Sequence, residues 1–497
     1  MSLSVPPLTV ALLTYNRLHY LKESIEAILT QSYREFELLV LDNCSTDATG
    51  AYIQGLQDPR IRYVRNSAHY SSVEFNCCSA FHIAIGKRVI VTHDDDIMEP
   101  DMLAQQMAFL DANPEVRLVW SAVSDIDQDG LPIAGSVAER TEDRVFAPGQ
   151  YIASFLKERL WPMPSGVMLE RAYLPKVYSM ALPFRVLRQQ ENPMDVAGIA
   201  DVLLPARVNR RHFIGFIGSP LLRRRVHTNQ FSHVASLSRP GVYLYRRLKK
   251  VASEVPGGRP DALHFDAFVE RFEIQEAITT QERSLVSKRT ADKVARAARK
   301  LKATADVSLD AFLAGLPVVM LHSLLSPAER FDRLQTLSAE GHGSATRQLL
   351  RWAQRHAADP ASSILAAVAR RRIIVFGSAF IAALLVLEAR KNAGEVVACL
   401  DSNVNRQGRR LLGVPIQPLS WMRDNVLPGD VIVMSSERDH EHYIEALIRQ
   451  NLASEVLIVS WKDLVDVPVH AVVSAVAEPM DSAGLSTRGS RPILERI

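Results

Sequence analysis

The sequence predicts an α/β protein with two open, largely parallel sheets and a helical stretch between them. Two observations carry this. From Leu8 to Ile97, short aliphatic and β-branched runs alternate with segments of helical periodicity, the pattern of a parallel sheet covered on both faces. The same alternation returns at Arg370, after a stretch from Gly241 to Ala369 that carries mainly helical periodicity. A chain of 497 residues is also too long for one ordinary domain. The expected division is a first α/β domain over 1–238, a helical region over 239–369, a smaller α/β domain over 370–470 and a loose Ser-, Gly- and Pro-bearing tail over 471–497.

Composition narrows the class. Hydrophobic residues at 47% and charged residues at 23% fit a soluble globular protein. A net charge of +3 gives no reason to expect a nucleic-acid partner. Cys44, Cys77, Cys78 and Cys399 form no CxxC pair, which argues against a zinc ribbon or disulfide framework and fits a reducing compartment. Met1 to Pro7 lacks the layout of a secretory signal. The longest uncharged apolar run, Ile373 to Leu387, is shorter than the roughly 18 residues of a membrane span and contains Gly377. A cytoplasmic location is expected, with peripheral contact at a membrane surface left open.

In chain order, Leu8 to Leu13 reads as a strand that stops at Thr14-Tyr15-Asn16-Arg17. Leu18, Leu21, Ile25, Ile28 and Leu29 then mark one face of a helix over 18–30. A second strand, Phe36 to Leu41, ends at Asp42-Asn43-Cys44-Ser45-Thr46-Asp47. A helix over 48–57, a strand over 61–64 and a helix over 73–85 lead to Val89-Ile90-Val91-Thr92-His93-Asp94-Asp95-Asp96. Three adjacent carboxylates raise each other's cost of ionisation. A solvated loop accommodates that cost. So does a hard divalent cation, Mg²⁺ or Mn²⁺, which takes oxygen ligands and substrate phosphates. Ligands of parallel sheets bind beyond the carboxyl ends of the strands, so the three polar clusters should share one crevice.

The order Thr-Tyr-Asn-Arg, Asp-Asn-x-Ser-Thr-Asp, then Asp-Asp-Asp-Ile with Pro100 following resembles the family 2 glycosyltransferases of the GT-A fold, over about the first 235 residues. These are inverting enzymes that use nucleotide-sugar donors. The resemblance implies that Thr14, Tyr15, Asn16, Arg17 and Asp42 line the nucleotide pocket. A carboxylate at 42 can accept a base imide N–H, and Tyr15 can pack on the ring. Ser45 or Thr46 as a helix cap is the plainer reading of the second cluster. The resemblance also implies that Asp94 and Asp96 serve ribose and metal. Many relatives start this motif one residue earlier, where His93 stands, so the register is open by one position and Asp95 shares the task.

Downstream, Leu118 to Val123 reads as a strand. Asp125-Ile126-Asp127-Gln128-Asp129-Gly130 is a tight turn and not a calcium loop, because the twelfth position is Ser136. The segment from Trp161 to Arg171 resembles the family's approach to the acceptor site, with Gly166 allowing close backbone approach. Helical periodicity then runs through Arg207. The family places its catalytic base at the start of such a helix; Asp201 fits, with Ala200 where a second acid usually stands and Asp195 as the alternative. A charge facing the helix macrodipole is the plain reading of Asp201. After a strand over 213–217, Arg223-Arg224-Arg225-Val226-His227 resembles the family's closing Arg-x-His. That implies His227 as a further metal ligand, with a guanidinium such as that of Arg225 on the donor diphosphate.

The basic helix over 286–303 is either solvated or meets an anionic lipid surface or a phosphorylated acceptor carrier. From Arg370 the pattern resembles the small Rossmann-like domains attached to sugar-modifying enzymes, with Asp401-Ser402-Asn403 and Gly413-Val414-Pro415-Ile416. Its loop keeps only Gly377 of GxGxxG, and no Tyr-x-x-x-Lys pair is present, so a binding or assembly module is expected, with self-association through it left open. The fold class is therefore α/β: a GT-A nucleotide-sugar-binding domain, a helical middle region and a second, smaller Rossmann-like domain. The expected activity is metal-dependent, inverting transfer from a UDP-, TDP- or GDP-sugar to a glycan, lipid-linked or protein acceptor. A nucleotidyltransferase and a non-catalytic nucleotide-sugar-binding scaffold are the alternatives.

Overall fold

The computed structural model describes residues 5–467, apart from 71–72, 134–139, 159, 175–199, 228–237, 258–259, 280–284, 303–306, 369, 392–393, 403–405, 438, 440 and 453–455. Asp195 and the tail over 471–497 lie outside the described residues. The chain divides into two compact units, Met1–Pro260 and Asp261–Ile497.

In the first unit, β1 (Leu8–Thr14), α1 (Leu18–Leu29), β2 (Phe36–Asp42), α2 (Thr49–Gly55), β3 (Ile61–Arg65), α3 (Val73–Ile83) and β4 (Arg88–His93) follow in succession. Then come β5 (Ile97–Met98), α4 (Met102–Ala112), β6 (Val116–Ile126), β7 (Arg144–Phe146), α5 (Gln150–Glu158), β8 (Met168–Glu170), α6 (Ala200–Asn209), β9 (Phe213–Arg225) and α7 (Ser238–Ser253). The sheet order is β3-β2-β1-β4-β8-β6-β9-β5, with β7 pairing β9. The first four strands are parallel, and β8 lies antiparallel between β4 and β6. Every residue of β1 and β2 is buried, which explains their continuous apolar sequences: a parallel strand covered on both faces has no solvent side to mark with polar residues. Helix α1 adds Leu21, Ile25 and Ile28 to this core.

One departure from the expected elements has an identifiable cause. Strand β9 continues past Ile217 to Arg225, although Pro220 lies within it. Its pairing with β6 shifts register around Ala122 and Pro220, and such an irregularity admits a residue without an N–H. Gly86, just before β4, is fixed by packing: an added Cβ would stand 2.4 Å from the backbone nitrogen of Thr9. Because the obstacle is backbone in a buried strand, Gly86→Ala is expected to cost about 3 kcal/mol, read as a lower urea midpoint.

The second unit opens with α8 (Ala262–Thr279), α9 (Lys288–Lys302), α10 (Leu309–Leu325) and α11 (Ser344–Ala358). Its sheet comprises β10 (Ile373–Phe376), β11 (Val396–Leu400), β12 (Arg410–Leu411), β13 (Val414–Gln417), β14 (Val431–Met434) and β15 (Leu457–Ser460), accompanied by α12 (Phe380–Lys391), α13 (Glu441–Gln450) and α14 (Trp461–Asp466). The order is β12-β13-β11-β10-β14-β15, parallel except at β12. This is the doubly wound arrangement, reversing direction beside β10. The helical stretch expected as one region is thus shared: α7 belongs to the first unit, and α8 to α11 to the second.

The basic helix α9 is not a bare cationic face. Lys293 pairs with Glu273 at 2.8 Å, Arg299 with Glu329 at 3.2 Å, and Lys300 with Glu270. Such pairs add little stability, but they cancel charge that an anionic surface would need. Gly377 has φ +114°, and an added Cβ would meet Ser435 Oγ at 2.3 Å. Local packing therefore accounts for this glycine without a pyrophosphate. Asp401, at the end of β11, accepts from Ser378 and from Arg406 at 3.2 Å. Among the described residues no helix is long and apolar enough to cross a membrane.

Candidate functional site

Strand register brings the three polar clusters of the first unit to one edge. Thr14 pairs with Asp42 and Leu13 with His93, so the segments after β1, β2 and β4 leave the sheet at the same level. Asn16 turns the chain there with φ 51°, a left-handed conformation that Asn tolerates better than most residues. Its amide oxygen accepts from Thr46 N at 2.7 Å and its N–H donates to Ser45 Oγ at 3.0 Å, tying the first cluster to the second.

The three aspartates have different partners. Asp94 accepts from Thr14 Oγ1 at 2.7 Å and Tyr15 N at 3.3 Å. Asp95 Oδ2 lies 3.0 Å from an Arg17 guanidinium nitrogen and 3.1 Å from His227 Nε2. Asp96 accepts from Ser165 Oγ at 2.5 Å and Arg225 N at 3.2 Å. Burial, followed by the neighbouring Asp95 charge, pushes Asp94 up to about 6 and Asp96 up to about 7. Burial also works against Asp95, but the His227 hydrogen bond and the charges of His93 and Arg17 outweigh it and hold that carboxyl below its ordinary value. The cluster thus concentrates its charge on the middle residue. His227, expected beside Asp94 and Asp96, meets Asp95 instead.

Arg225, expected at the diphosphate, is turned inward and only 1% exposed. Its guanidinium donates to the carbonyls of Asp95 at 3.2 Å, Asp127 at 3.4 Å and Gln128 at 3.0 Å, and to Glu23 at 2.6 Å, while lying over the Tyr20 ring. It braces the backbone beneath the acids and has almost no surface to offer a ligand. Sequence reasoning missed Ser24 and Ser165. The Ser24 hydroxyl reaches the carbonyls of Asp94 and Asp96 at 2.9 and 2.8 Å. A polar residue on the apolar stripe of α1 was the available signal for Ser24; Ser165 offered none beyond standing next to Gly166.

The nucleoside edge also differs from expectation. Asp42 is 0% exposed, and its carboxylate accepts from Ser45 N at 2.8 Å and Tyr63 OH at 2.6 Å, with Arg65 Nε at 3.5 Å. Burial, then this bond to Asp42, drives the Tyr63 phenol well up. In this structure Asp42 shows no exposed face and shapes the loop behind it. Tyr15, 38% exposed, is stacked on His69 with ring centroids 4.1 Å apart, leaving an aromatic surface at the mouth of the edge.

Gly166 is buried, and its carbonyl accepts from Gln106 Nε2 at 2.7 Å. An added Cβ would make only ordinary contact with Leu222 and Ser121, so the protein's own packing does not demand this glycine. Asp201 is half-buried in the first turn of α6, and its charge falls on the buried Tyr151.

Among the described residues, no three Asp, Glu, His or Cys side chains converge as a closed metal cage. An open site is a different matter. Asp95 Oδ2 and His227 Nε2, 3.1 Å apart, have the separation of neighbouring ligands around a cation bound at about 2.1 Å. Two protein donors suffice where substrate phosphates and water complete the shell. The residues present fit such a cation.

Residues 9–155 match the model described as "Glycosyl transferase family 2". An uncharacterized glycosyltransferase of Methanocaldococcus jannaschii is 26% identical over 248 residues, covering 49% of this chain and 79% of that protein. The putative glycosyltransferase EpsE of Bacillus subtilis is 30% identical over 151 residues, covering 29% of this chain; the match spans only 53% of EpsE. The crystal structure of S. aureus TarS 1-349 in complex with UDP-GlcNAc superposes at a TM-score of 0.39 and 16% identity, over 71% of this chain and 88% of that one. A superposition that loose carries no weight here.

Proposed function

Because the first unit carries a family 2 glycosyltransferase domain, we propose that the protein is a cation-dependent, inverting glycosyltransferase that moves a sugar from a nucleoside-diphosphate donor to an acceptor hydroxyl. The pair Asp95–His227, at the carboxyl edge of a parallel sheet, is the observation that carries this reading. Asp95 and His227 would hold Mn²⁺ or Mg²⁺, which would supply positive charge to offset that of the departing nucleotide.

The remaining residues position and exclude. Thr14 and the Tyr15 N–H hold the buried Asp94, while Ser24, Ser165 and Arg225 fix the backbone and the buried Asp96. The exposed Tyr15 ring, extended by His69, offers a stacking face for the base. Asp201 takes the proton of the attacking hydroxyl as the anomeric carbon is approached from the face opposite the leaving group. The acceptor is a glycan, a lipid-linked glycan or a protein hydroxyl.

Thermal unfolding with UDP, TDP and GDP, each with and without Mn²⁺, tests this reading. One nucleotide at a hundredfold excess over its Kd is expected to stabilise the protein by about 2.7 kcal/mol, and chiefly when the cation is present. If no nucleotide raises the midpoint under either condition, the proposed function fails.

A further inference from the structure

Arg17 occupies an unusual place. It is the N-cap residue of α1, a position that favours Ser, Thr, Asp or Asn, and its side chain makes no capping bond. A cation there also opposes the positive end of the helix dipole. The first turn is served from elsewhere, with Leu18 N donating to Asp47 Oδ2 at 3.3 Å. The local helix therefore gives no reason for an arginine. The acids do: the same guanidinium nitrogen lies 3.0 Å from Asp95 Oδ2 and 3.4 Å from Asp94 Oδ1.

Asp95 Oδ2 is also the oxygen facing His227 Nε2. A carboxylate oxygen has two lone-pair directions, and Arg17 and His227 address both. A cation held by Asp95 and His227 needs that oxygen and would stand close to the Arg17 charge. The cation would take the direction that His227 now addresses and stand beside the Arg17 guanidinium, so the two positive charges repel and each weakens the other's hold on Asp95. The Arg17 side chain is 29% exposed, and the turn at Asn16 that carries it is clamped to the second cluster. A guanidinium displaced from Asp95 remains tethered at the rim, where its planar fork matches the oxygens of a diphosphate.

We infer that Arg17 is a positioning residue that serves as the internal counter-ion of the donor-free site, standing in for the cation at Asp95 and passing to the donor diphosphate when the cation binds. Cation and nucleotide then bind with positive coupling through one side chain. This inference rests on the nucleotide-sugar reading above and goes beyond it by naming how the two ligands are linked.

The test is binding, not turnover. Manganese titrations followed by electron paramagnetic resonance, and calorimetry with UDP, TDP and GDP, would be run on the full-length wild type, Arg17→Met and Arg17→Lys. Arg17→Met keeps the aliphatic stem and is expected to bind Mn²⁺ at least about 5-fold more tightly without nucleotide. With Mn²⁺ saturating, it should bind the preferred nucleoside diphosphate at least about 5-fold more weakly, and the factor by which Mn²⁺ improves nucleotide affinity should shrink. Arg17→Lys retains the charge and should keep the low cation affinity while losing the forked phosphate contact. Unchanged or weaker Mn²⁺ binding by Arg17→Met overturns the inference while leaving the glycosyltransferase reading intact. Should Arg17→Met fail to fold, wild-type-like nucleotide binding by Arg17→Lys overturns it. A wild type that binds neither ligand removes both.

Discussion

Replacing Asp95, the proposed cation ligand, by alanine is expected to lower kcat/KM for transfer by about a thousandfold. The argument is one of charge. Of the three aspartates, Asp95 is the one held below its ordinary pKa, and its side chain faces the rim beside Arg17 and His227. Losing a cation that offsets leaving-group charge removes several kcal/mol of transition-state stabilisation, and roughly 4 kcal/mol is about a thousandfold. Asp96→Ala should behave differently. Its carboxyl is buried between Ser165 and the Arg225 N–H, and deleting it leaves both donors without their acceptor. A loss of about 3 kcal/mol in stability is expected, with Mn²⁺ affinity retained in the protein that stays folded. Denaturation and Mn²⁺ titration of both variants decide between them. If Asp96→Ala loses the cation at full stability while Asp95→Ala keeps it, the register assigned here is off by one.

That register was beyond the reach of sequence. The acids and His227 were legible because the residue types are distinctive and because parallel strands leave a sheet at a common level. Which acid faces the rim depends on how the chain turns after β4, and that turn is held by Ser24, Ser165 and Arg225, each distant in sequence. Arg225 illustrates the same limit. An arginine at the end of a strand suggests a phosphate ligand, yet a glutamate on α1 and carbonyls beyond β6 draw it inside. Asp42 was legible as a strand-end acid, but its sequestration depends on Tyr63 and Arg65 of β3, which propensity does not reveal. The continuous apolar runs of β1, β2 and β4 identified a doubly covered sheet without ambiguity, because burial on both faces leaves no other pattern. The boundary between units, by contrast, follows contacts of α7 and α8 that no periodicity distinguishes.

The second large effect expected is at Asp201. Asp201→Asn should lower kcat by about 10²- to 10⁴-fold, the usual contribution of a positioned general base, while donor affinity and cation affinity stay unchanged. Separation of effects follows from position: Asp201 lies on the first turn of α6, a different element from the end of β4 that leads into Asp94, Asp95 and Asp96. The plain alternative makes a different prediction. If Asp201 serves only the helix dipole, Asp201→Asn costs about 0.3–1 kcal/mol of stability and leaves transfer at the wild-type rate. If Asp195 is the base, Asp195→Asn carries the kinetic loss and Asp201→Asn does not. Measuring kcat, donor KM and unfolding midpoint for both variants separates the three cases: a kcat loss in Asp201→Asn, a lower midpoint alone in Asp201→Asn, or a kcat loss in Asp195→Asn.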